Sequence, residues 1–382
     1  MATQRIHILS SPHSIIFRPS HSWDAFQAKA AEFTHALIRR YEGEIEPVIY
    51  GPEQVMQEVP AAFGAQVRVT QPTKEWEESY GKNNYRTRQV NLSYKAPWKS
   101  VEARTAAALF ASVRDGDIIC SWYPSIWNRL MSQFSIGGSQ EHKKVVCIDA
   151  FLGNLKAELA PFTVFESHHC RSWNHARLSG SGKPEYDIDR SGDTVIHGFV
   201  NCHSSDYRPL PEDQYTLDLP NEYILQLSRK NPDKGVKEAI EATRDAGMPY
   251  VLAGQGDLRH MGYRKVPDHV TVFDYVEPNN RRELLSRCSS LAQTTRYFEP
   301  LGRVVLEAGA MGKPVIVTRH GAFPEIVTSE TGTFIESHSD FIDAIDIVRN
   351  ASFDAEKIQR HIAENYHVAG AVKRFLDHVE KL

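Results

Sequence analysis

The stretch Arg296–Val317, RYFEPLGRVVLEAGAMGKPVIV, carries two carboxylates, Glu299 and Glu307, on either side of Gly302. An apolar run at helical spacing follows Gly302, so we expect a helix to begin there. The free N–H groups and the dipole of a helix start attract a phosphate. Glu307 falls inside the predicted helix, and Glu299 stays in the loop before it. Two acceptor carboxylates around an anion site suit a ligand with hydroxyls at both ends of a diphosphate, such as a nucleotide sugar.

The neighbouring sequence decides between this interpretation and an ordinary solvated helix face. Gly312-Lys313-Pro314 followed by Val315–Val317 is typical of a helix end and then a buried strand. Gly321–Val327, GAFPEIV, is typical of a loop that opens another helix. The carboxylates therefore lie in a strand–loop–helix–strand pattern, which favours a ligand site.

These segments resemble the donor half of retaining glycosyltransferases of family 4, whose pattern is roughly FEPFGLVVLEAMACGTPVI followed by GGxPEIV. The resemblance runs from about Tyr223 to Phe334, and over the first half of the chain only strand order and spacing agree. It implies an α/β GT-B fold, in which two Rossmann-like domains face a central cleft. We expect an acceptor domain at 1–200, a nucleotide-sugar donor domain at 201–368, and a terminal helix at 369–382 that crosses back to the first domain.

The bulk composition agrees with two ordinary globular domains. The chain has 382 residues, of which 41% are hydrophobic and 24% charged, with a net charge of −4. This charge gives no general attraction to nucleic acid or membrane. No apolar run is long enough to span a bilayer, and MATQRIHILSS is not a signal peptide, so we expect a cytoplasmic protein (in the host cytoplasm if phage-encoded). The five cysteines form no CxxC pair and are predicted to be free thiols: Cys120, Cys147, Cys170, Cys202 and Cys288.

The first half alternates predicted strands with helices, as a parallel sheet requires. The predicted strands are at 5–10, 47–50, 66–70, 117–120, 144–148, 162–165 and 194–196, with helices at 25–40 and 101–113. Ligands of such sheets bind at the carboxyl ends of the strands. His13 and Arg18, in the loop after the first strand, are therefore candidate ligands for an acceptor or a phosphate. An ordinary surface loop is the alternative.

The donor side of the predicted site contains two cations. Tyr223–Leu227 is a predicted strand, and the segment SRKNPDKG after it resembles the family pattern GRLxPEKG. The resemblance implies that Arg229 and Lys234 hold the donor diphosphate. Two cations there would offset the charge that builds on the leaving group. Ser228 stands where the family usually has glycine.

The resemblance also implies the remaining donor contacts. Glu307 would bind the ribose hydroxyls and Glu299 the sugar hydroxyls. The segment HVTVFDYV at 269–276 corresponds to the strand and loop near the nucleotide base, where Asp274 replaces the usual glycine and leaves base selectivity open. The other expected substrate-binding residues are Gly254, Tyr275, Val276, Leu301, Gly302 and Arg303.

The first-domain catalytic residue has no clear match. Many family members have a histidine at the end of a first-domain strand, facing the sugar. Here Asp149 follows the predicted strand Val145–Ile148, and His168 and His169 follow the next one. Either position could contact the donor sugar or orient the acceptor hydroxyl. We expect no metal ion or other cofactor, because Arg229, Lys234 and the helix at Gly302 supply the positive field. His168, His169 and His175 lack the carboxylate or cysteine spacing of a metal site.

A basic segment in the first half suggests an acceptor. Tyr80–Lys99 contains no acid and interleaves aromatic residues with the cations Lys82, Arg86, Arg88, Lys95 and Lys99. Basic groups neutralise phosphates and aromatic faces stack on bases or sugars, which would suit nucleic acid. The alternative is a solvated loop before a helix.

The predicted activity is transfer of a hexose, with retention, from a UDP-glucose-like donor to an acceptor hydroxyl. Some phage glycosyltransferases modify hydroxymethylated pyrimidines in DNA, and that resemblance together with the basic segment makes DNA one acceptor hypothesis. A saccharide, lipid or protein acceptor is the alternative. Two further alternatives are a nucleotide-sugar 2-epimerase, which carries a different glutamate pattern, and a non-catalytic nucleotide-sugar-binding protein. We expect a monomer or a homodimer.

Overall fold

Short apolar runs alternate with amphipathic stretches along the chain, and in the structure they form parallel sheets flanked by helices. The structure is a computed structural model. It describes residues 4–9, 25–41, 43–53, 66–72, 74–75, 98–122, 127, 130–131, 133–134, 144–153, 159–179, 190–350 and 353–382. The chain divides into two compact units: unit 1 is residues 1–198 with 368–382, and unit 2 is residues 199–367. The prediction placed these boundaries after residues 200 and 368.

Unit 1 contains, within its described residues, a seven-stranded parallel sheet of order β3-β2-β1-β4-β5-β6-β7. The strands are β1 Gln4–Leu9, β2 Ile45–Pro52, β3 Gln66–Gln71, β4 Ile118–Ser121, β5 Val146–Leu152, β6 Phe162–Phe165 and β7 Thr194–Val195. Before residue 199, the helices among the described residues are α1 Ala25–Arg40, α2 Trp98–Ser112 and α3 His168–Ser179.

Strand β5 is longer than predicted. It continues to Leu152, so the prediction that a strand ends just before Asp149 is wrong. Its last residues are irregular: Phe151 has φ +53°, and the register with β6 shifts between Asp149 and Leu152. Lys29 Nζ on α1 donates to the Phe151 carbonyl at 3.2 Å. This contact holds the irregular end of the strand, and nothing in the sequence pattern indicates it.

Unit 2 contains a six-stranded parallel sheet of order β10-β9-β8-β11-β12-β13. The strands are β8 Ile224–Leu227, β9 Tyr250–Ala253, β10 Val270–Phe273, β11 Ser290–Gln293, β12 Val315–Thr318 and β13 Gly332–Ile335. The α-helices are α4 Val236–Asp245, α5 Pro278–Arg287, α6 Arg303–Ala310, α7 Phe323–Ile326, α8 His338–Asn350 and α9 Ala355–Tyr366. Four 3-10 turns are Ser205–Tyr207, Glu212–Gln214, Pro232–Lys234 and Leu258–Met261.

Apolar side chains cover both faces of the second sheet. Successive strand residues point to opposite faces, so each strand contributes to the core on either side. Leu225, Val251 and Leu291 belong to the core on one face. Ile224, Leu252 and Ala292 belong to the core on the other. The strand order reverses between β8 and β11, and sheets of this type bind ligands at the carboxyl ends of the strands next to that point.

The last helix, α10 Val368–Val379, belongs to unit 1. Phe375 of α10 is fully buried, and its ring lies 5.1 Å from the ring of Phe33 on α1, centroid to centroid. The five cysteines are free thiols. Of the helices in the described ranges, none combines the length and apolarity that a membrane span needs.

Candidate active site

The candidate site is built on unit 2 from loops that leave the carboxyl ends of adjacent strands. Ser228–Gly235 follows β8, Gly254–Gly256 follows β9, and Thr294–Gly302 follows β11. Because β8 and β11 are neighbours at the point where strand order reverses, their loops meet at one edge of the sheet.

Lys234 and Glu299 are joined through Tyr297. Lys234 Nζ donates to Glu299 Oε2 at 2.9 Å and to the Tyr297 hydroxyl at 2.7 Å. That hydroxyl donates to the same Glu299 oxygen at 2.6 Å. The Lys234 and Glu299 side chains are 13% and 12% exposed. A cation and a carboxylate are therefore held side by side at the surface of the site, and sequence reasoning missed the tyrosine that links them.

A buried polar cluster fixes the turn that carries Lys234. Gln226, fully buried on β8, donates its amide to the Lys234 carbonyl at 2.9 Å. The Thr294 hydroxyl donates to the Gly235 carbonyl at 2.8 Å. Gly235 has φ +63°, and a Cβ there would lie 1.9 Å from the Thr294 carbonyl oxygen. The turn thus requires glycine, and these hydrogen bonds fix the backbone that carries the Lys234 side chain.

The loop of Glu299 packs against a second glycine turn. Ala322 N donates to the Glu299 carbonyl at 2.8 Å. Gly321 has φ +66°, and a Cβ on it would lie 2.0 Å from the Glu299 carbonyl oxygen. The predicted helix start is where we expected it: Gly302 is the N-cap of α6, and no side chain caps it. Leu301, a predicted substrate contact, is only 2% exposed and packs in the core of unit 2.

Glu307 lies between two arginines. It is 2% exposed, accepts from Arg303 Nε at 3.1 Å and forms an ion pair with Arg281 of α5. Arg303, itself 8% exposed, also donates to the Phe199 carbonyl at 3.0 Å and the Tyr207 hydroxyl at 3.1 Å. Arg303 therefore holds the first residues of unit 2, and its predicted substrate contact stays a prediction.

The loops after β8, β9 and β10 are also connected. Gly254 has φ +148°, and a Cβ there would lie 1.9 Å from the Ser228 carbonyl oxygen, so these two loops touch through backbone. Lys230, 4% exposed, donates through Nζ to Asp274 at 2.5 Å. Arg229 is exposed, and Tyr275 and Val276 are half-buried. Lys230 was not predicted, although the unusual Asp274 could have signalled an ionic partner.

The first-unit candidates are in different environments. Asp149 is fully buried, and burial raises its pKa well above the usual range despite hydrogen bonds from Ala160 N and Ser121. It lies inside β5 and not at a strand end. His168 is exposed and His169 half-buried at the start of α3, directly after β6 as predicted. The remaining predicted residues lie outside the described residues: His13, Arg18, Lys82, Arg86, Arg88 and Lys95.

The match to a known protein family lies within unit 2. A sequence model of the family described as glycosyl transferases group 1 matches residues 211–367, which is most of unit 2 and includes all the donor-side residues above. A probable sucrose-phosphate synthase from Thermosipho melanesiensis is 32% identical over 197 residues, or 46% of this chain and 44% of the relative. Each curated relative that we compared is matched over less than half of its length.

Solved structures match over nearly the whole chain. Sucrose-phosphate synthase from Thermosynechococcus elongatus has a TM-score of 0.70 at 13% identity, covering 99% of this chain and 98% of the other. HepE from Anabaena, in complex with UDP and glucose, has a TM-score of 0.65 at 14% identity, covering 99% and 100%. At these identities the similarity establishes the fold. The chain has the GT-B fold, as the resemblance found in the sequence implied.

Proposed function

We propose that this chain is a retaining glycosyltransferase that moves a hexose from a nucleotide diphosphate sugar, of the UDP-glucose class, to an acceptor hydroxyl. The observation that carries the proposal is the Lys234–Tyr297–Glu299 cluster, which lies between β8 and β11 beside the start of α6. The family match over residues 211–367 covers the same region and supports it.

The donor diphosphate binds, in this proposal, between Lys234, the exposed Arg229 and the uncapped N-terminus of α6. Glu299 neutralises part of the Lys234 charge and accepts hydrogen bonds from sugar hydroxyls. Arg229 then supplies the second positive charge. As the bond between sugar and diphosphate breaks, negative charge grows on the leaving oxygen, and fixed cations stabilise it most at that moment. This step needs no divalent ion.

Release of nucleoside diphosphate from a nucleotide-sugar donor tests the proposal directly. The full chain is incubated with UDP-, GDP-, ADP- and dTDP-sugars, and free nucleoside diphosphate is measured. We expect release from one donor class, and NMR of the product should show the same anomeric configuration as the donor. Lys234→Met should slow release at least about a hundredfold. Lys237→Met, at an exposed position on α4, is the matched control and should retain release.

The alternatives give different products. An epimerase would convert the sugar without a glycosylated acceptor, and a non-catalytic binding protein would bind the nucleotide without releasing diphosphate. Either result would contradict the proposal. The clustered Lys234 and Glu299 favour chemistry over binding alone, because catalysis requires a charged group fixed beside the reacting bond.

For the acceptor we propose hydroxymethylated pyrimidine in DNA. One sequence feature favours it, the acid-free segment Tyr80–Lys99 with its five cations. A labelled donor, offered with hydroxymethylated DNA and with saccharide, lipid and protein acceptors in parallel, distinguishes these classes.

A further inference from the structure

A group of three metal-binding side chains lies at the margin of unit 2, outside the loops of the candidate active site. Cys202 and His203 lie in the first residues of unit 2, and His367 is its last residue. One ligand atom from each, the Cys202 sulfur and one ring nitrogen of each histidine, all lie within 4.8 Å of one another.

Backbone pairing brings these distant positions together. Val200 N donates to the Tyr366 carbonyl at 3.0 Å, and Val200 forms a parallel β-bridge with His367. His367 is the residue at which α9 ends, with extended backbone. The two histidine rings lie 4.6 Å apart, centroid to centroid. Main-chain pairing, and not only side-chain placement, therefore brings the Cys202–His203 segment next to His367.

The geometry suits a tetrahedral ion after small side-chain rotations. Bond lengths of about 2.0–2.1 Å to nitrogen and 2.3 Å to sulfur place tetrahedral ligand atoms about 3.3–3.6 Å apart. The three ligand atoms lie within 4.8 Å of one another, so the distances between them need to shorten by no more than a little over an ångström. His203 is exposed and Cys202 and His367 are half-buried, so an ion can reach the site from solvent while two of its ligands are held by packing.

We infer that Cys202, His203 and His367 form a binding site for a borderline-soft divalent cation of the Zn²⁺ class. One thiolate and two imidazoles are the donor set that zinc takes in proteins, and three protein ligands leave a fourth position for water. Binding releases the thiol proton of Cys202 to solvent. The ion joins the opening segment of unit 2 to the end of α9, so its role is to stabilise this margin of the unit. The inference does not rest on the proposed glycosyl transfer.

Cobalt(II) titration of the full chain without an affinity tag tests this site, because a thiolate–cobalt bond gives an absorption band that histidine alone does not. We expect one equivalent to bind with a sulfur charge-transfer band, to be displaced by Zn²⁺, and to raise the thermal unfolding temperature. Cys202→Ser should remove the band. His203→Asn, at an exposed position, should weaken binding by at least about tenfold, the loss that even outer-shell changes cause.

His260→Asn is the matched control, since His260 is also exposed but lies in the 3-10 turn Leu258–Met261, outside the three-residue cluster. It should bind cobalt like the wild type. Absence of a stoichiometric sulfur band in the wild-type protein, or wild-type binding by both Cys202→Ser and His203→Asn, would overturn the inference. Because the readout is absorption and not sugar transfer, its failure leaves the proposed function untouched.

Discussion

At the scale of single residues, the candidate site contains basic groups of different exposure. Arg229 is exposed and Lys234 partly so, which suits their proposed role as diphosphate ligands. Lys230 is buried and paired with Asp274, although it stands beside Arg229 in the sequence. Adjacent basic residues on this loop therefore have different roles, and substitution can tell them apart.

Neutralising Lys234 or Arg229 should reduce turnover more than it weakens binding of the intact donor. The physical reason is that charge on the diphosphate grows as the sugar leaves. We expect kcat to fall at least about a hundredfold for Lys234→Met, the usual cost of losing one group that stabilises transition-state charge. Steady-state kinetics, with dissociation constants from calorimetry, measure both quantities. An unchanged kcat would mean that another group carries the charge.

Glu307 should be needed for nucleotide binding. In the proposed site its carboxylate, held by Arg303 and Arg281, also accepts the ribose hydroxyls. Leaving such a group unpaired costs about 1–3 kcal/mol, so Glu307→Ala should weaken nucleoside diphosphate binding by about tenfold or more. Calorimetry compares this variant with Glu307→Gln, which keeps the side-chain volume. Equal affinity in the wild type and Glu307→Ala would remove Glu307 from the site.

The sequence indicated the charged residues of the site but not their partners. Glu299, Arg229 and Lys234 lie on loops that leave the carboxyl ends of strands, and Glu307 lies in the helix that follows, because strand–loop–helix periodicity fixes these positions. Tyr297 could not be identified, since its contact with Lys234 joins loops more than sixty positions apart. Such a contact follows from packing, which local patterns do not record.

At the scale of secondary-structure elements, glycine turns position the loops of the candidate site. Gly321 and Gly247 both have left-handed backbone, with φ +66° and +62°. A Cβ at Gly321 would meet the Glu299 backbone, whereas at Gly247 it would meet nothing within 4 Å. The two positions therefore differ in surroundings and not in conformation.

Gly321→Ala should impair the site, and Gly247→Ala should not. Both variants pay about 1–2 kcal/mol for left-handed backbone. Only Gly321→Ala must also displace Glu299, so it alone should weaken nucleotide binding. Thermal unfolding and calorimetry on both variants separate the shared strain from the specific clash. Equal nucleotide affinity in the two would show that Glu299 does not depend on this turn.

Most elements were predictable because their periodicity is strong. Helix α1 begins and ends at the predicted residues, and β6 does too. Strand β5 was predicted too short, because the sequence pattern gives no sign of the Lys29 contact that holds Phe151 at positive φ. Asp149 consequently appeared to be a strand-end residue, whereas it is buried inside the strand.

At the scale of the whole molecule, the proposal of a DNA acceptor depends on the basic segment Tyr80–Lys99. If its cations contact phosphates, the logarithm of DNA affinity should fall with the logarithm of salt by about 0.9 per contact. Replacing both Arg86 and Arg88 with alanine should reduce that slope by about 2. Fluorescence anisotropy across a salt series measures it. No DNA binding at low salt, or the same slope in the double variant, would exclude this segment as a DNA site.

Helix α10 should contribute strongly to the stability of unit 1. Phe375 is fully buried against Phe33, and Phe151 lies 6.2 Å away, centroid to centroid. Phe375→Ala should therefore cost about 3–5 kcal/mol of unfolding free energy. Leu382→Ala, at a position 38% exposed, is the control and should change little. Chemical denaturation of the two variants checks this, and equal stability would mean that α10 is dispensable to the unit.

The discontinuity of unit 1 has a consequence for biosynthesis. Its core lacks α10 until all of residues 199–367 have been translated. At ordinary elongation rates that interval is on the order of ten to thirty seconds. During it the nascent chain presents the aromatic surface of Phe33 and Phe151 to the cell without its final cover. Unit 2 is contiguous and can fold as it leaves the ribosome, so the half of the protein made first is the half completed last.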